Sequence, residues 1–194
     1  MVPVFRAVAL TVAFMASPVA AQSSAITETT TTFTFNLNGT EMTVSRTGLS
    51  CPSSCIQPMQ AALGVTTLAE LEVIAFLQEA VGSGTGLLVD VRMPDRFSSG
   101  SLPGSVNVPV ATFQPSNPYR DDLLSALGVT NLATTPDFSN AFSLVIFANG
   151  PDDTGAVDAI NSLLDAGYPA GKINYYRGGA SSWTTLGLNL SVGQ

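Results

Sequence analysis

Polar and apolar positions alternate one for one in two short stretches near the start of the chain. Phe33, Phe35 and Leu37 are separated by polar residues, Asn38-Gly39 follows, and Met42 and Val44 resume the alternation. A period of two marks a strand with one apolar side, and Asn-Gly is the commonest two-residue hairpin turn, so the stretch predicts a β-hairpin. The rhythm then changes. Leu68, Leu71, Ala75 and Val81, with Ile74 and Leu77 beside them, fall on one face of a helix that Thr66 or Thr67 can cap, while Glu70, Glu72 and Glu79 face water. Apolar runs at 87–91, 105–109, 143–147 and 173–176 alternate with helical patterns at 119–127, at 154–166 and around Trp183. Such alternation predicts an α/β fold, a mostly parallel central sheet flanked by helices and preceded by the N-terminal hairpin.

The first residues have a different character. Arg6 precedes an apolar run from Ala7 to Ala16, and small residues close the stretch at Ala20 and Ala21. This is the order of a cleavable secretory signal, and it is too short for the ~20 residues of a membrane span. Cleavage is expected after Ala21. An uncleaved N-terminal anchor is the alternative. The expected organisation is a signal peptide at 1–21, a polar tether, hairpin and cysteine-containing loop at 22–65, and the α/β domain at 66–190. No other stretch reaches spanning length, so the product is expected to be periplasmic or secreted.

Export changes how Cys51 and Cys55 are read, because thiols oxidise outside the cytoplasm. Three residues separate them, Pro52-Ser53-Ser54, rather than the two of thioredoxin-like motifs. A structural disulfide is the first expectation, and closing so short a loop stabilises by roughly 2 kcal/mol in the entropic picture. A redox or sulfur-handling pair and a copper site are the alternatives. Copper sites of this spacing usually recruit an imidazole, and the chain has no histidine.

Composition narrows the chemistry further. Lys and Arg total 7 against 14 Asp and Glu, a net charge of −7, which disfavours nucleic acid and anionic membranes as partners. Without histidine, Ser-His-Asp and Cys-His catalysis and every His-containing metal site are excluded. No cofactor and no metal are expected.

Two blocks of sequence carry more specific information. The first runs through Asp90, Arg92, Pro94, Phe97, Gly100, Leu102, Pro103, Gly104, Asn107 and Pro109. The second begins at Leu144-Val145-Ile146-Phe147, passes a glycine-containing loop and a helix, and ends Arg177-Gly178-Gly179-Ala180-Ser181-Ser182-Trp183. Together and in this order they closely resemble rhodanese-like domains, over roughly residues 66–189. The resemblance implies the three-layer rhodanese fold. Read as residues alone, Gly104, Gly178 and Gly179 suit turns and close backbone approach, Pro103 suits a strand end, and Trp183 suits a core plug rather than a ligand stack. Asp90 and Arg92 share one strand face, where they form a structural ion pair or, alternatively, a catalytic one.

In rhodaneses a cysteine opens the loop after the strand matching 143–147 and takes sulfane sulfur as a persulfide, surrounded by backbone N–H groups. Here that loop reads Ala148, Asn149, Gly150, Pro151, Asp152, Asp153, Thr154, with alanine at the nucleophile's place. The family's loop commonly carries arginine to hold an anionic donor. This one carries two carboxylates before a helix, where Asp152 or Asp153 can act as N-cap or, alternatively, shape a site for a cation or a basic partner. The resemblance therefore implies a rhodanese-like domain without catalytic residues, a pseudoenzyme that serves as a binding or accessory module for an unknown protein or small molecule. The alternative is a sulfurtransferase or thiol redox enzyme working through Cys51 and Cys55.

Overall fold

The computed structural model describes residues 32–45 and 56–192. The expected signal peptide and both cysteines lie outside them. Strands β1 (Thr32–Leu37) and β2 (Thr40–Ser45) form an antiparallel ribbon, with Phe33 opposite Val44 and Phe35 opposite Met42. Asn38 and Gly39 turn between them at φ of 51° and 83°, the positive values a primed two-residue turn requires.

The rest alternates strand and helix. After β3 (Thr66–Leu68) and α1 (Glu70–Phe76) come β4 (Gly86–Asp90), α2 (Pro94–Ser99), β5 (Ser105–Asn107), α3 (Val110–Phe113) and α4 (Arg120–Ala126). The second half holds β6 (Ser143–Phe147), α5 (Gly155–Asp165), β7 (Ile173–Tyr176) and α6 (Gly179–Thr185). The five strands β3-β7-β6-β4-β5 pair in that order, all in parallel. The period of two divides their side chains between two apolar layers. Val89, Leu144, Ile146, Ile173 and Tyr175 pack with α3, α4 and α5, whereas Leu88, Val145, Phe147 and Tyr176 pack with Val73 of α1 and Ala180 and Trp183 of α6. Between the two layers the central strand β6 is buried on both faces, which is why 144–147 reads as a continuous apolar run, whereas the edge strands β3 and β5 are partly exposed.

Three expectations for the first helix need correction. Thr66 and Thr67 do not cap it; they pair with Asn174 and Tyr175 as an edge strand, as β-branched residues favour. The N-cap is Ala69, whose N–H donates to the Glu72 carboxylate at 3.1 Å. The buried face is as expected at Leu68, Ile74, Leu77 and Val81, but not at Leu71, which is 76% exposed while Val73 is fully buried. Residues two apart stand nearly opposite on a helix of 3.6 residues per turn, so the stripe that runs through Val73 and Leu77 excludes Leu71. After Phe76 the chain continues as a π-helical turn at Leu77–Val81. Glu70 does not simply face water either: it accepts a hydrogen bond from the Tyr176 hydroxyl at 2.9 Å.

Tyr168, Tyr175 and Tyr176 lie in these layers, each 2% exposed or less. Burial pushes the Tyr175 hydroxyl up to about 12, with the Arg177 charge opposing and the Asp153 charge adding to the rise. Burial also raises Tyr168, and burial followed by Glu70 raises Tyr176. A raised tyrosine keeps its proton in the fold after the unfolded chain has lost it, so its stabilisation is complete below the unfolded value of 10.0 and disappears as pH climbs through the folded value. Urea midpoints are therefore expected to fall from about pH 10 upward; midpoints unchanged to pH 12 would contradict this.

Candidate functional site

The loop 148–154 joins the C-terminal end of β6 to the first turn of α5. Its first residue, Ala148, is 3% exposed, so only a buried methyl group stands at the strand's end. The loop is seated on α6, where the N–H groups of Ala180 and Ser181 donate to the carbonyls of Ala148 and Asn149 at 3.2 and 2.8 Å. Gly179 makes this approach possible. At φ +59°, a Cβ there would lie 2.5 Å from the Ala148 carbonyl oxygen and 2.7 Å from the Asn149 carbonyl carbon and oxygen. Backbone on both sides leaves no room for adjustment, so Gly179→Ala is expected to destabilise by about 2–3 kcal/mol in urea unfolding. A Cβ on Gly178 would meet Tyr176 and Ser182 at 2.9 Å, and Trp183 plugs the layer below, its indole N–H donating to Asn189 at 2.9 Å.

Inside the loop the chain satisfies its own amides. The Asp153 carboxylate accepts from the Gly155 N–H at 2.9 Å through one oxygen and from the Asn149 N–H at 3.2 Å through the other. The N-cap position itself belongs to Thr154, whose hydroxyl donates to Asp158 at 2.9 Å. Asp153 thus bridges the start of the loop to the start of the helix, while Asp152 is exposed. A carboxylate held by two amides beside a helix N-terminus takes the position an external anion would seek.

Beside the loop, a cleft of about 360 Å³ is lined by Val91, Arg92, Met93, Arg96, Ala148 and Asp153 among others. Arg92 is committed elsewhere. Its Nε and a terminal nitrogen grip both oxygens of Asp90 at 2.6–3.1 Å, and the same nitrogen donates to the Gly100 carbonyl at 2.8 Å. Asp90 is fully buried and also accepts from the Ser101 hydroxyl at 2.6 Å, with Ser105 and Asn107 tying the same segment to β4. Pro103 and Gly104 form the turn that brings Ser105 back into the sheet, Gly104 at φ +78°. This geometry is a closed ion pair folded into the core.

One arrangement was not visible in the sequence. The backbone N–H of Gln57 donates to the Pro151 carbonyl at 2.8 Å, and its carbonyl accepts from Arg177 Nε at 2.8 Å. The segment that follows Cys55 is thereby fastened to loop 148–154. These partners are separated by 94 and 120 residues, and no local pattern signals the contact. The Tyr175 hydroxyl is buried with no hydrogen-bond partner, within range of the Arg177 and Asp153 charges. Among the described residues, no three His, Cys, Asp or Glu side chains converge as a metal site, and no helix is long and apolar enough to cross a membrane.

Comparison with known proteins places these features. No curated protein matches the chain. Among solved structures, thiosulfate sulfurtransferase from Pseudomonas aeruginosa is similar at 24% identity and a TM-score of 0.46, over 67% of this chain but only 21% of that enzyme. The human single-domain sulfurtransferase is similar at 21% identity and a TM-score of 0.40, over 64% of this chain and 97% of its own length. The rhodanese-like domain of an Anabaena protein gives 18% identity and 0.42, over 67% and 80%. The profile of the rhodanese-like domain matches residues 74–186, more than half of the sequence, and the chain belongs to the rhodanese-like domain family.

Proposed function

We propose that this rhodanese-like domain carries out no sulfur transfer and serves as an exported binding or accessory module. The observation that carries this reading is the Asp153 carboxylate bound to the amides of Asn149 and Gly155. Persulfide chemistry needs a thiolate, and it needs amides free to stabilise anionic sulfur. Ala148 supplies no thiol. Asp153 engages the Asn149 amide of the loop and the Gly155 amide that opens α5, and adds negative charge where thiosulfate would approach. The cleft left beside the loop, with Arg96 and Asp153 among its lining residues, is the surface offered to a ligand or partner.

A second reading, sulfur transfer or thiol redox chemistry through Cys51 and Cys55, is favoured by one contact. Gln57, two residues after Cys55, is hydrogen-bonded to Pro151 of the loop. Mass spectrometry separates the two. The protein is reduced, exchanged into thiosulfate, and weighed intact. The module gains no sulfur; a sulfur atom mapped to Cys51 or Cys55 would establish the second reading instead.

Export has its own test. Protein recovered from the periplasm is expected to begin at Gln22, with Cys51 and Cys55 resistant to alkylation until reduced. A start at Met1 in the membrane fraction would overturn the export reading, and two thiols that alkylate without reduction would overturn the disulfide.

A further inference from the structure

Strands β4 and β6 lie side by side, yet the chain leaves them in opposite directions: β4 leads to β5 toward one edge of the sheet and β6 to β7 toward the other. In an open α/β sheet such a reversal leaves a crevice outside the C-terminal ends of the two strands. The cleft of about 360 Å³ occupies this place, lined by Met93 and Arg96 after β4 and by Asn149 and Asp153 after β6. Its volume is near the small end of the roughly 300–1,000 Å³ of ligand sites.

Three charged side chains line the cleft. Arg92 is neutralised by the buried Asp90, so Arg96 and Asp153 set its charge. These two are opposite in sign and form no ion pair with each other. Both Asp153 oxygens are held by amides, of Gly155 and of Asn149, which fixes the carboxylate on its own side. Arg96 is exposed, and among the described residues its guanidinium makes no ion pair or hydrogen bond. Two complementary charges thus border one small space without meeting across it.

We propose that the cleft binds a free amino acid in its zwitterionic form, one with a small aliphatic side chain, a ligand class that rests on the reading of this cleft as the domain's binding surface. The ligand carboxylate accepts from the Arg96 guanidinium, whose planar fork matches two oxygens at once. Its ammonium donates to Asp153, whose oxygens each keep a second lone pair beside the amide they already bind. One molecule thereby completes both charges, whereas an anion or a cation completes one and lies beside a like charge. Net charge points the same way, because a chain at −7 repels anions but not a molecule without net charge. Val91, Met93, Val110 and Ala148 supply the apolar part of the lining, against which an aliphatic side chain packs.

Titration of the full chain at neutral pH, followed by the NMR shifts of the Asn149 and Gly155 amides, tests this with three probes of nearly the same shape. L-valine carries both charges, isovalerate lacks the ammonium and isobutylamine lacks the carboxylate. The expected result is saturable binding of L-valine, with the other two weaker by about tenfold or more. Arg96→Gln is expected to weaken L-valine by about tenfold while leaving isobutylamine unchanged, and Asp153→Asn to weaken L-valine by about tenfold while leaving isovalerate no weaker. Either single-charge probe binding as tightly as L-valine would overturn the proposal. So would an Asp153→Asn variant that weakens all three probes alike, the mark of a distorted loop rather than a lost charge. No saturable L-valine binding by a protein that takes up no sulfur from thiosulfate would overturn the ligand class and leave the module reading standing, whereas sulfur taken up at Cys51 or Cys55 would overturn the reading on which the proposal rests.

Discussion

The purified protein is expected to release no thiocyanate from thiosulfate and cyanide, and Ala148→Cys alone is expected to recover little. The reason is local. The Asp153 carboxylate accepts from the N–H of Asn149, the residue next to 148, at 3.2 Å and lines the same cleft as Ala148, so a thiol introduced at 148 has a carboxylate nearby. A like charge at that range raises the thiol's pKa and withholds the thiolate on which sulfur transfer depends. Removing the carboxylates reverses both effects. Asp153→Ser frees the Asn149 and Gly155 amides, and Asp152→Asn removes the second, exposed charge. Combined with Ala148→Cys, the two changes are expected to raise thiocyanate release by about tenfold or more over Ala148→Cys alone, the gain that one unit of thiol pKa delivers. Full activity from Ala148→Cys alone would refute the role assigned to Asp153. Turnover by the unaltered protein would move the sulfur chemistry to Cys51 and Cys55.

How much of this was legible beforehand depends on the range of the interaction. The hairpin announced itself through Asn38-Gly39 and strict alternation, and β4, β6 and β7 through apolar runs, because strands buried on both faces need little else to define them. The short helices α2 and α3 went unread. Each has six residues or fewer, too few for a periodicity to show, and α2 is signalled mainly by Pro94 at its start. Leu71 and Val73 are both apolar and stand nearly opposite on α1, so apolar character alone does not tell which of them the core covers.

The loop shows the same division. Its sequence displayed two aspartates before a helix and so suggested a cap, which is a local device. That the second oxygen of Asp153 returns to the Asn149 amide depends on how the loop closes over α6, through Gly179. The fastening of Gln57 to Pro151 and Arg177 lies wholly beyond local reach. It is also the contact that keeps the second functional reading open.

Asp90 and Arg92 carry the second large expected effect, and it falls on stability rather than activity. The Asp90 side chain is fully buried and that of Arg92 is 8% exposed, so neither charge has water to fall back on. Asp90→Ala would leave the guanidinium buried with only the Gly100 carbonyl and strip Ser101 of its acceptor. Breaking a buried pair from one side typically costs about 3–5 kcal/mol, a large share of a domain's stability, and a loss of that size in the urea unfolding free energy is expected here. Arg92→Ala leaves the Asp90 charge buried without its partner and is expected to cost a similar amount. Removing both ends separates the cost of an orphaned charge from the loss of the surrounding hydrogen bonds. Asp90→Leu with Arg92→Met leaves no orphan charge and fills much of the same volume, so the double variant is expected to be more stable than either single alanine variant, by about 1–4 kcal/mol. A double variant as unstable as the singles would mean that the hydrogen bonds to Ser101 and Gly100, rather than the desolvated charges, hold the segment 100–107 against β4.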